Sequence, residues 1–157
     1  MGTPMVVGVD GTANSLAALS AAAELAEESG VGLVVVHVRH ESGIVAADGA
    51  MTGALVALED ALDEIERMSR ERVADVLAGS RAPWRFEVAW GDPATELIAI
   101  ARRDQAFIIV VGGRTHGVLG GLVMGSVAQK LVRHSPVSVL VVRDSQAHRF
   151  DVTASVQ

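Results

Sequence analysis

Hydrophobic residues along the chain fall into five short runs rich in valine, isoleucine and leucine. The runs mostly lack the strict apolar–polar alternation of a strand with one face in water, which indicates strands buried on both faces of a parallel sheet. We predict five strands, at residues 5–9, 33–38, 84–90, 107–111 and 137–142.

Apolar residues at helical spacing lie between these runs and predict four helices, at residues 16–26, 55–77, 94–101 and 127–132. Thr12 or Asn14 is expected to cap the first helix, and Gly30 to end it. Asp92 and Pro93 have the residue types preferred at the cap and first position of the third helix. Alternating strands and helices with right-handed crossovers predict a doubly wound α/β domain with helices on both faces of the sheet.

Two segments lack this periodicity. Residues 40–53 are small and rich in glycine, and we predict a mobile connection there. The apolar pattern stops after residue 143, so residues 144–157 are predicted to be a flexible tail. The expected organisation is a single domain over residues 1–143 followed by this tail.

Composition narrows the class of protein. The chain has 157 residues, half of them hydrophobic, which is enough for one ordinary core. It has no cysteine, which excludes disulfides and thiolate zinc sites and fits a cytoplasmic protein. The N-terminus lacks the basic region of a signal peptide, so we expect neither export nor a membrane partner. A net charge of −6 argues against nucleic-acid binding. No histidine or carboxylate pair has metal-ligand spacing, and no protein metal site is expected.

Ligands of open α/β sheets bind beyond the carboxyl ends of the strands, so the residues that follow each strand are the first candidates for a site. Two of the four predicted strand ends are rich in glycine. The candidate positions are Asp10-Gly11, His37-Val38-Arg39, Gly91-Asp92 and Gly112-Gly113.

A glycine-rich loop follows the fourth predicted strand, with six glycines between residues 112 and 125. It leads to a helix that begins near Gly125 and Ser126, where free N–H groups and the helix dipole favour an anion. Gly120 and Gly125 have the spacing of a P-loop, but Ser126 stands where the lysine is required. Neither the dinucleotide pattern G-x-G-x-x-G nor the hydrolase pattern G-x-S-x-G is present. Alternatively, the glycines only allow tight turns and close helix packing.

Asp10, directly after the first strand, has two interpretations. Its carboxylate can accept hydrogen bonds from a base amino group or a ribose hydroxyl, or it can help cap the first helix near Thr12.

Among the histidines, His37 lies inside an apolar strand and is interpreted as a core residue. His116, in the glycine loop, either approaches a phosphate or faces solvent, and His134 falls at the end of a helix.

Three segments resemble the universal stress protein family, namely VVGVDGTANS, GDPATELIAIA and MGSVAQKLVRHSPVSVLVV. The resemblance covers residues 4–143. It implies a Rossmann-like domain whose five-stranded parallel sheet has the order 3-2-1-4-5. It also implies a homodimer in which the last strands, residues 137–142, of two subunits pair. An apolar edge strand of this kind would otherwise be an aggregation hazard.

Members of that family that bind ATP carry a G-x2-G-x9-G-[S/T] loop, and the matching positions here are Gly112, Thr115, Gly125 and Ser126. By this resemblance, one end of the site binds adenine and ribose, and the other faces the phosphates, often with a divalent ion. The first end comprises Gly8, Val9, Asp10 and Val38, and the second comprises Gly113, Arg114, His116 and Val127 besides the motif positions. Thr115 departs from the motif glycine. A β-branched residue there would be strained at positive φ, whereas in another conformation it would crowd the ligand or offer its own N–H and hydroxyl.

We therefore predict a cytoplasmic, dimeric stress-response protein that binds ATP, with Mg²⁺ or Mn²⁺, as a sensor or switch at the ends of strands 1, 2 and 4. No residue is placed to activate water, so any hydrolysis is expected to be slow. The alternative is a nucleotide-free dimeric interaction protein in which the glycine loop is structural. A transferase of the wider nucleotide-binding α/β group is disfavoured, because H-x-G-H and Ser-Gly-Gly signatures are missing near the first strand.

Overall fold

The computed structural model describes residues 2–39, 49–115 and 122–143 of the chain. Strands and helices alternate through most of this length, as the apolar pattern predicts. The elements are β1 (Met5–Val9), α1 (Ala13–Ser29), β2 (Leu33–Arg39), α2 (Gly49–Leu77), β3 (Trp84–Trp90), α3 (Pro93–Arg103), β4 (Ile108–Gly112), β5 (Arg114–Thr115), β6 (Leu122–Val123), α4 (Ser126–His134) and β7 (Ser138–Val142).

Five strands form one parallel sheet in the order β3-β2-β1-β4-β7. This is the order 3-2-1-4-5 of the predicted strands, so the predicted fold class is confirmed. At the centre of the sheet, Val7 of β1 lies between Val35 of β2 and Val110 of β4. The short strands β5 and β6 pair antiparallel in a separate ribbon within the segment that the sequence indicated only as a glycine-rich loop.

The two faces of the sheet bury separate apolar clusters. Val7 and Val35 pack with Leu19 of α1 and Val73 of α2 on one face. On the other face, residues such as Val6 and Val34 pack with helices α3 and α4. Successive side chains of each central strand therefore enter different clusters, which is why the strands read as continuous apolar runs.

The ends of the helices follow local chemistry. Thr12 is the cap of α1, since its side chain accepts from the N–H of Ser15, and Gly30 ends the helix with φ 67°. Asp92 caps α3 through Thr95 N–H, with Pro93 as the first helical residue. The assignments of Thr12, Gly30, Asp92 and Pro93 were predicted, and Asn14, the alternative cap of α1, is not the cap.

All four helices are longer than the apolar periodicity indicated. Helix α2 begins at Gly49, so the prediction of a mobile connection over residues 49–53 is wrong. The first residues of α2 are mostly small and have no apolar stripe, but alanine and methionine are good helix formers. Residues 40–48 and 144–157 lie outside the described residues, and the predictions made for them stay predictions.

Within the described residues, no helix has both the length and the apolar character required to span a lipid bilayer.

Candidate functional site

A cavity of about 140 Å³ lies at the carboxyl edge of the sheet, on the face covered by α3 and α4. It is centred on β1, where successive connections leave the sheet towards opposite edges, the position at which open α/β sheets bind ligands. Half of the twelve residues predicted to bind the nucleotide line it: Gly8, Val9, Asp10, Val38, Gly112 and Val127.

Four lining residues were not predicted, namely Val36, Pro93, Leu97 and Val111. All four are apolar and form the walls of the cavity. The predicted site residues were mainly glycines and polar residues at strand ends. In the sequence, the apolar lining residues have the same pattern as residues of the hydrophobic core. Pro93 was the one with a signal, because it directly follows the strand-end residues Gly91 and Asp92.

Gly8 keeps the wall of β1 free of side chains. A β-carbon at this position would lie 2.9 Å from Leu97 Cδ1 and 3.3 Å from Val111 Cγ1. Both neighbours also line the cavity. Any larger residue would therefore displace these side chains or occupy space at the cavity itself.

Asp10 is held in a compact turn at the end of β1. Its Oδ1 accepts hydrogen bonds from Thr12 N–H at 3.0 Å and Thr12 Oγ1 at 2.6 Å. Its own N–H donates to Ser15 Oγ at 3.3 Å. Among the described residues, Oδ2 has no hydrogen-bond partner. Asp10 therefore binds the α1 cap residue Thr12 through Oδ1 and leaves Oδ2 available to accept a hydrogen bond from a ligand. Both interpretations of this aspartate, as a ligand-binding residue and as support for the helix cap, fit the geometry.

The same hydrogen bonds decide the charge of Asp10. Partial burial would raise the pKa of its carboxyl, but the hydrogen bonds that Oδ1 accepts from the Thr12 hydroxyl and N–H outweigh burial and lower this pKa below its ordinary value. Asp10 is therefore ionised at neutral pH, and it presents a strong acceptor beside the cavity.

His37 points to the other face of the sheet from the cavity residue Val38. The residue is only 6% exposed, and its Nδ1 donates to the carbonyl oxygen of Val9 at 3.2 Å. This confirms the interpretation of His37 as a satisfied core residue. His134, the last residue of α4, also lies where predicted.

The first two glycines of the loop have structural tasks. Gly112 is the last residue of β4, and a β-carbon on it would lie 2.6 Å from the backbone carbonyl carbon and oxygen of Asn14. Glycine here allows the start of α1 to approach the sheet. The N–H of Gly113 donates to the carbonyl oxygen of Val142 at 2.8 Å. For this pair the interpretation of the glycines as packing residues is supported.

Thr115 lies in an extended strand. It pairs with Leu122, and Arg114 pairs with Val123, across the β5–β6 ribbon. A β-branched residue adopts this conformation readily, so the strain expected of a left-handed position does not arise in the strand. His116 lies outside the described residues.

Helix α4 begins beside the cavity without a side-chain cap. Gly125 occupies the cap position with φ −62° and makes no side-chain hydrogen bond to the helix, and Ser126 is the first helical residue. The N–H groups of a first turn that lacks a capping side chain are free to bind an anion or water. Val127, the next residue, lines the cavity.

A salt bridge joins α3 and α4 near the cavity. Lys130 Nζ lies 2.9 Å from Asp92 Oδ2. The hydrogen bonds from Lys130 and Thr95 lower the pKa of Asp92 to about 2. Pro93, next to Asp92, and Val127, nearly one turn before Lys130, both line the cavity. The bridge therefore ties together the two helix starts that form one side of the site.

A larger cavity, of about 410 Å³, lies at the opposite edge of the sheet, around the amino ends of β2 and β3. Its polar side chains include Arg85 and Asp104, which pair with each other at 2.6 Å. We assign the candidate site to the smaller cavity, because the strand-end carboxylate and the uncapped helix start meet there.

No cluster of three or more potential metal ligands occurs among the histidine, aspartate and glutamate residues that the structure describes.

The fold and the cavity define a class of protein: a doubly wound α/β domain with a cavity at its topological switch point, the place where such sheets generally bind ligands. The universal stress protein family model matches residues 1–143, and the chain belongs to this family. It is 31% identical over 146 residues to the universal stress protein YxiE of Bacillus subtilis, in a match that covers 88% of this chain and 97% of YxiE.

Solved structures are similar in fold. The universal stress protein UspA from Lactobacillus plantarum matches with a TM-score of 0.74 at 23% identity, covering 90% of this chain and 97% of UspA. Two further matches are nucleotide complexes. One is a universal stress protein with cAMP, with a TM-score of 0.61 at 23% identity, covering 90% and 96% of the two chains. The other, from Archaeoglobus fulgidus with dAMP, has a TM-score of 0.53 at 20% identity and covers 88% and 96%.

Proposed function

We propose that this universal stress protein binds ATP at the carboxyl edge of its sheet and acts in the cytoplasm as a nucleotide-dependent sensor or switch. One observation carries the proposal. A single cavity is lined by an ionised strand-end carboxylate, Asp10, and by Val127 in the first turn of helix α4, which begins at Ser126 without a side-chain cap. These are complementary partners for the two ends of a nucleotide.

The apolar part of the cavity suits an adenine ring. Val38, Leu97 and Val127 provide apolar walls, and Gly8 leaves the strand surface bare. Asp10 has one carboxylate oxygen without a partner among the described residues. That oxygen can accept from an amino group or a ribose hydroxyl, in a hydrogen bond made stronger by the negative charge.

The phosphates are assigned to the start of α4. Its free N–H groups and the positive end of the helix dipole stabilise negative charge, and the hydroxyl of Ser126 adds a further donor. Arg114 and His116 are proposed to contribute positive charge from the glycine loop. Mg²⁺ or Mn²⁺ would join the site through the phosphate oxygens, since magnesium characteristically binds substrate phosphates with few protein ligands.

We assign no catalytic residue. Asp10, the carboxylate at the cavity, has a lowered pKa and makes two hydrogen bonds with Thr12, which makes it a poor base for activating water. Any hydrolysis is therefore expected to be slow compared with that of an ATPase. Such a protein suits a role in which the bound nucleotide, rather than turnover, carries the signal.

We also propose that two copies pair through the edge strand β7. Its five residues, Ser138–Val142, carry no charge, and its backbone pairs only with β4 among the described strands. The other edge strand, β3, carries Arg85 and Glu87, which form ion pairs with α3 and its end and which discourage strand addition. Sedimentation as a dimer at micromolar concentration supports this pairing, and a strictly monomeric chain rejects it.

A nucleotide-free interaction protein is the second candidate. It is favoured by the structural roles of Gly112 and Gly113, because the first packs on Asn14 and the second binds Val142. Two of the motif-region glycines would be retained in such a protein even without a ligand. Stoichiometric ATP in the purified protein would reject this candidate.

ATP binding to protein stripped of nucleotide tests the main proposal through Asp10→Ala. Loss of a hydrogen bond to a charged group costs about 1.5–3 kcal/mol, so affinity should fall by roughly tenfold or more. Asp60→Ala, at an exposed acid of α2 remote from the cavity, is the matched control and should bind as the native protein does. Asp10→Asn separates the two tasks of the residue, because its amide oxygen still accepts from Thr12. Unchanged affinity in Asp10→Ala would contradict the proposed site.

A further inference from the structure

We infer that Arg72 of α2 is a positioning residue that holds the Asp10 turn in its binding conformation from behind the sheet. The inference rests on the proposed nucleotide site and adds a residue that neither the motif nor the cavity lining includes. Arg72 Nη1 donates to the carbonyl oxygen of Gly11 at 2.7 Å, a contact between residues 61 positions apart.

Within the Asp10 turn, hydrogen bonds hold Asp10 to Thr12 and to Ser15, so these local restraints fall on either side of Gly11. Gly11 has φ +79°, a conformation that glycine adopts freely but that does not by itself fix the peptide on either side. Asp10 and Thr12 restrain each other through two hydrogen bonds. Arg72, which belongs to α2, holds the middle residue Gly11 through a hydrogen bond to its carbonyl oxygen. The positive charge of Arg72 strengthens that hydrogen bond.

Arg72 differs from the other arginines of its helix. Arg67 pairs with Glu64 and Glu71, and Arg70 pairs with Glu66, all within α2. Among the described residues Arg72 makes no salt bridge, and its side-chain hydrogen bond goes to the turn. A solvated helix face does not require a donor directed at this carbonyl, whereas an anchor requires a long side chain with a donor at its end.

Helix α2 is a fixed base for this anchor. Ser69, one turn before Val73 and only 1% exposed, lies against Gly11, since its Oγ is 3.9 Å from the position of a β-carbon there. Nearby, Arg39 at the end of β2 binds Asp63 at 2.6 Å and Glu66 at 3.1 Å. Through Arg72 and Arg39, α2 is tied to the ends of both β1 and β2, next to the cavity residues Asp10 and Val38.

The two ties lie on the face of the sheet opposite the cavity. Nucleotide and α2 therefore contact the Asp10 turn from different sides, and α2 affects the cavity through the position of this turn. Loss of the Arg72 donor should loosen the turn without removing a group that touches the ligand.

The test compares Arg72→Met, which removes the donor, with Arg67→Met, the same change at an exposed arginine of α2 that contacts only its own helix. The first readout needs no nucleotide. Hydrogen exchange at the Thr12 amide, which donates to Asp10, should quicken about tenfold in Arg72→Met and stay native in Arg67→Met. Arg72→Lys keeps a charged donor and should recover most of the protection. Equal exchange in the two methionine variants would overturn the inference.

The second readout is ATP affinity. We expect Arg72→Met to bind ATP roughly five- to tenfold more weakly, and Arg67→Met to bind as the native protein does. In an Asp10→Ala background the Arg72→Met change should have no further effect, because its influence passes through Asp10. Additive losses in the double variant, or native affinity in Arg72→Met, would reject a role in nucleotide binding.

The two readouts separate this inference from the proposed function. A native protein that binds no ATP contradicts the proposed function, and Thr12 exchange then still decides whether Arg72 holds the turn. A native protein that binds ATP, with Thr12 exchange unchanged by Arg72→Met, keeps the proposed function and rejects the positioning role.

Discussion

At position 112, the absence of a side chain lets a helix approach the sheet. A β-carbon there would lie 2.6 Å from the carbonyl carbon and oxygen of Asn14, which is backbone and cannot rotate away. At position 8 the nearest atom would instead be the flexible end of Leu97, at 2.9 Å. Both glycines line the cavity, but they are not equivalent: Gly112 is required for the approach of α1, whereas Gly8 keeps the cavity wall free of a side chain.

We expect Gly112→Ala to lower the free energy of unfolding by about 2 kcal/mol, because the start of α1 must shift to admit the methyl group. Urea denaturation measures the loss. Gly53→Ala in α2 is the control, since a β-carbon there meets no atom within 4 Å and alanine favours the helix. A Gly112→Ala protein as stable as the native one would show that α1 and β4 have more room between them than described.

Some residues of the site could be predicted from the sequence and others could not. Asp10 was accessible from its place directly after the first strand, whereas Gly8 and Val127 were assigned only by the family resemblance. Arg72 was not accessible, since an arginine on a charged helix face gives no sign that its donor reaches a turn 61 residues away. The apolar walls, Leu97 among them, have the pattern of core residues, and their exposure to a cavity depends on how α3 packs.

Among the elements, α3 and α4 are joined by the Asp92–Lys130 bridge at 2.9 Å. Asp92 also caps α3 through Thr95. Both side chains of the bridge are about half exposed, so solvent screens the pair, and the cap contributes more to stability than the charge pair does.

The pH dependence of stability reports the ionised form of Asp92, which accepts from Lys130 and caps α3 through Thr95. The pKa of Asp92 is lowered to about 2 in the folded chain, below the usual aspartate value of 3.8. Ionised Asp92 therefore stabilises the fold fully above about pH 4, and this contribution is lost as pH falls towards 2. We expect Asp92→Ala to cost about 1 kcal/mol at neutral pH and progressively less between pH 4 and 2. Urea unfolding of both proteins across this range checks the prediction, and a difference independent of pH would contradict it.

Most elements of the fold could be predicted because each one has its own apolar pattern within a short segment of the sequence. The β-branched runs predicted β1 and β3 to the residue, and β4 and β7 to within one residue. The β5–β6 ribbon could not, since its two-residue strands pair across a glycine-rich segment and have no apolar run of their own. The early start of α2 was missed for a related reason, because small residues form a helix without making a stripe.

At the scale of the whole molecule, the order of the strands determines where the candidate site lies. Because β1 lies at the centre, the turn after it carries Asp10 to the cavity on one face, while Arg72 holds Gly11 from the α2 side. The strand order required family resemblance, since apolar runs do not specify which strands are neighbours. The proposed pairing of β7 would leave the cavity open at the carboxyl edge of each subunit.

Thr115 makes the central claim open to a direct measurement. The claim is that the chain binds ATP although threonine replaces the motif glycine, because position 115 is extended in β5. The experiment is a calorimetric titration of ATP with Mg²⁺ into protein stripped of nucleotide, run on the native chain and on Thr115→Gly. We predict binding by the native protein with a Kd on the order of micromolar, and a value within a few-fold of it for Thr115→Gly. A silent native protein, with or without binding restored in Thr115→Gly, would contradict the account and favour the nucleotide-free alternative.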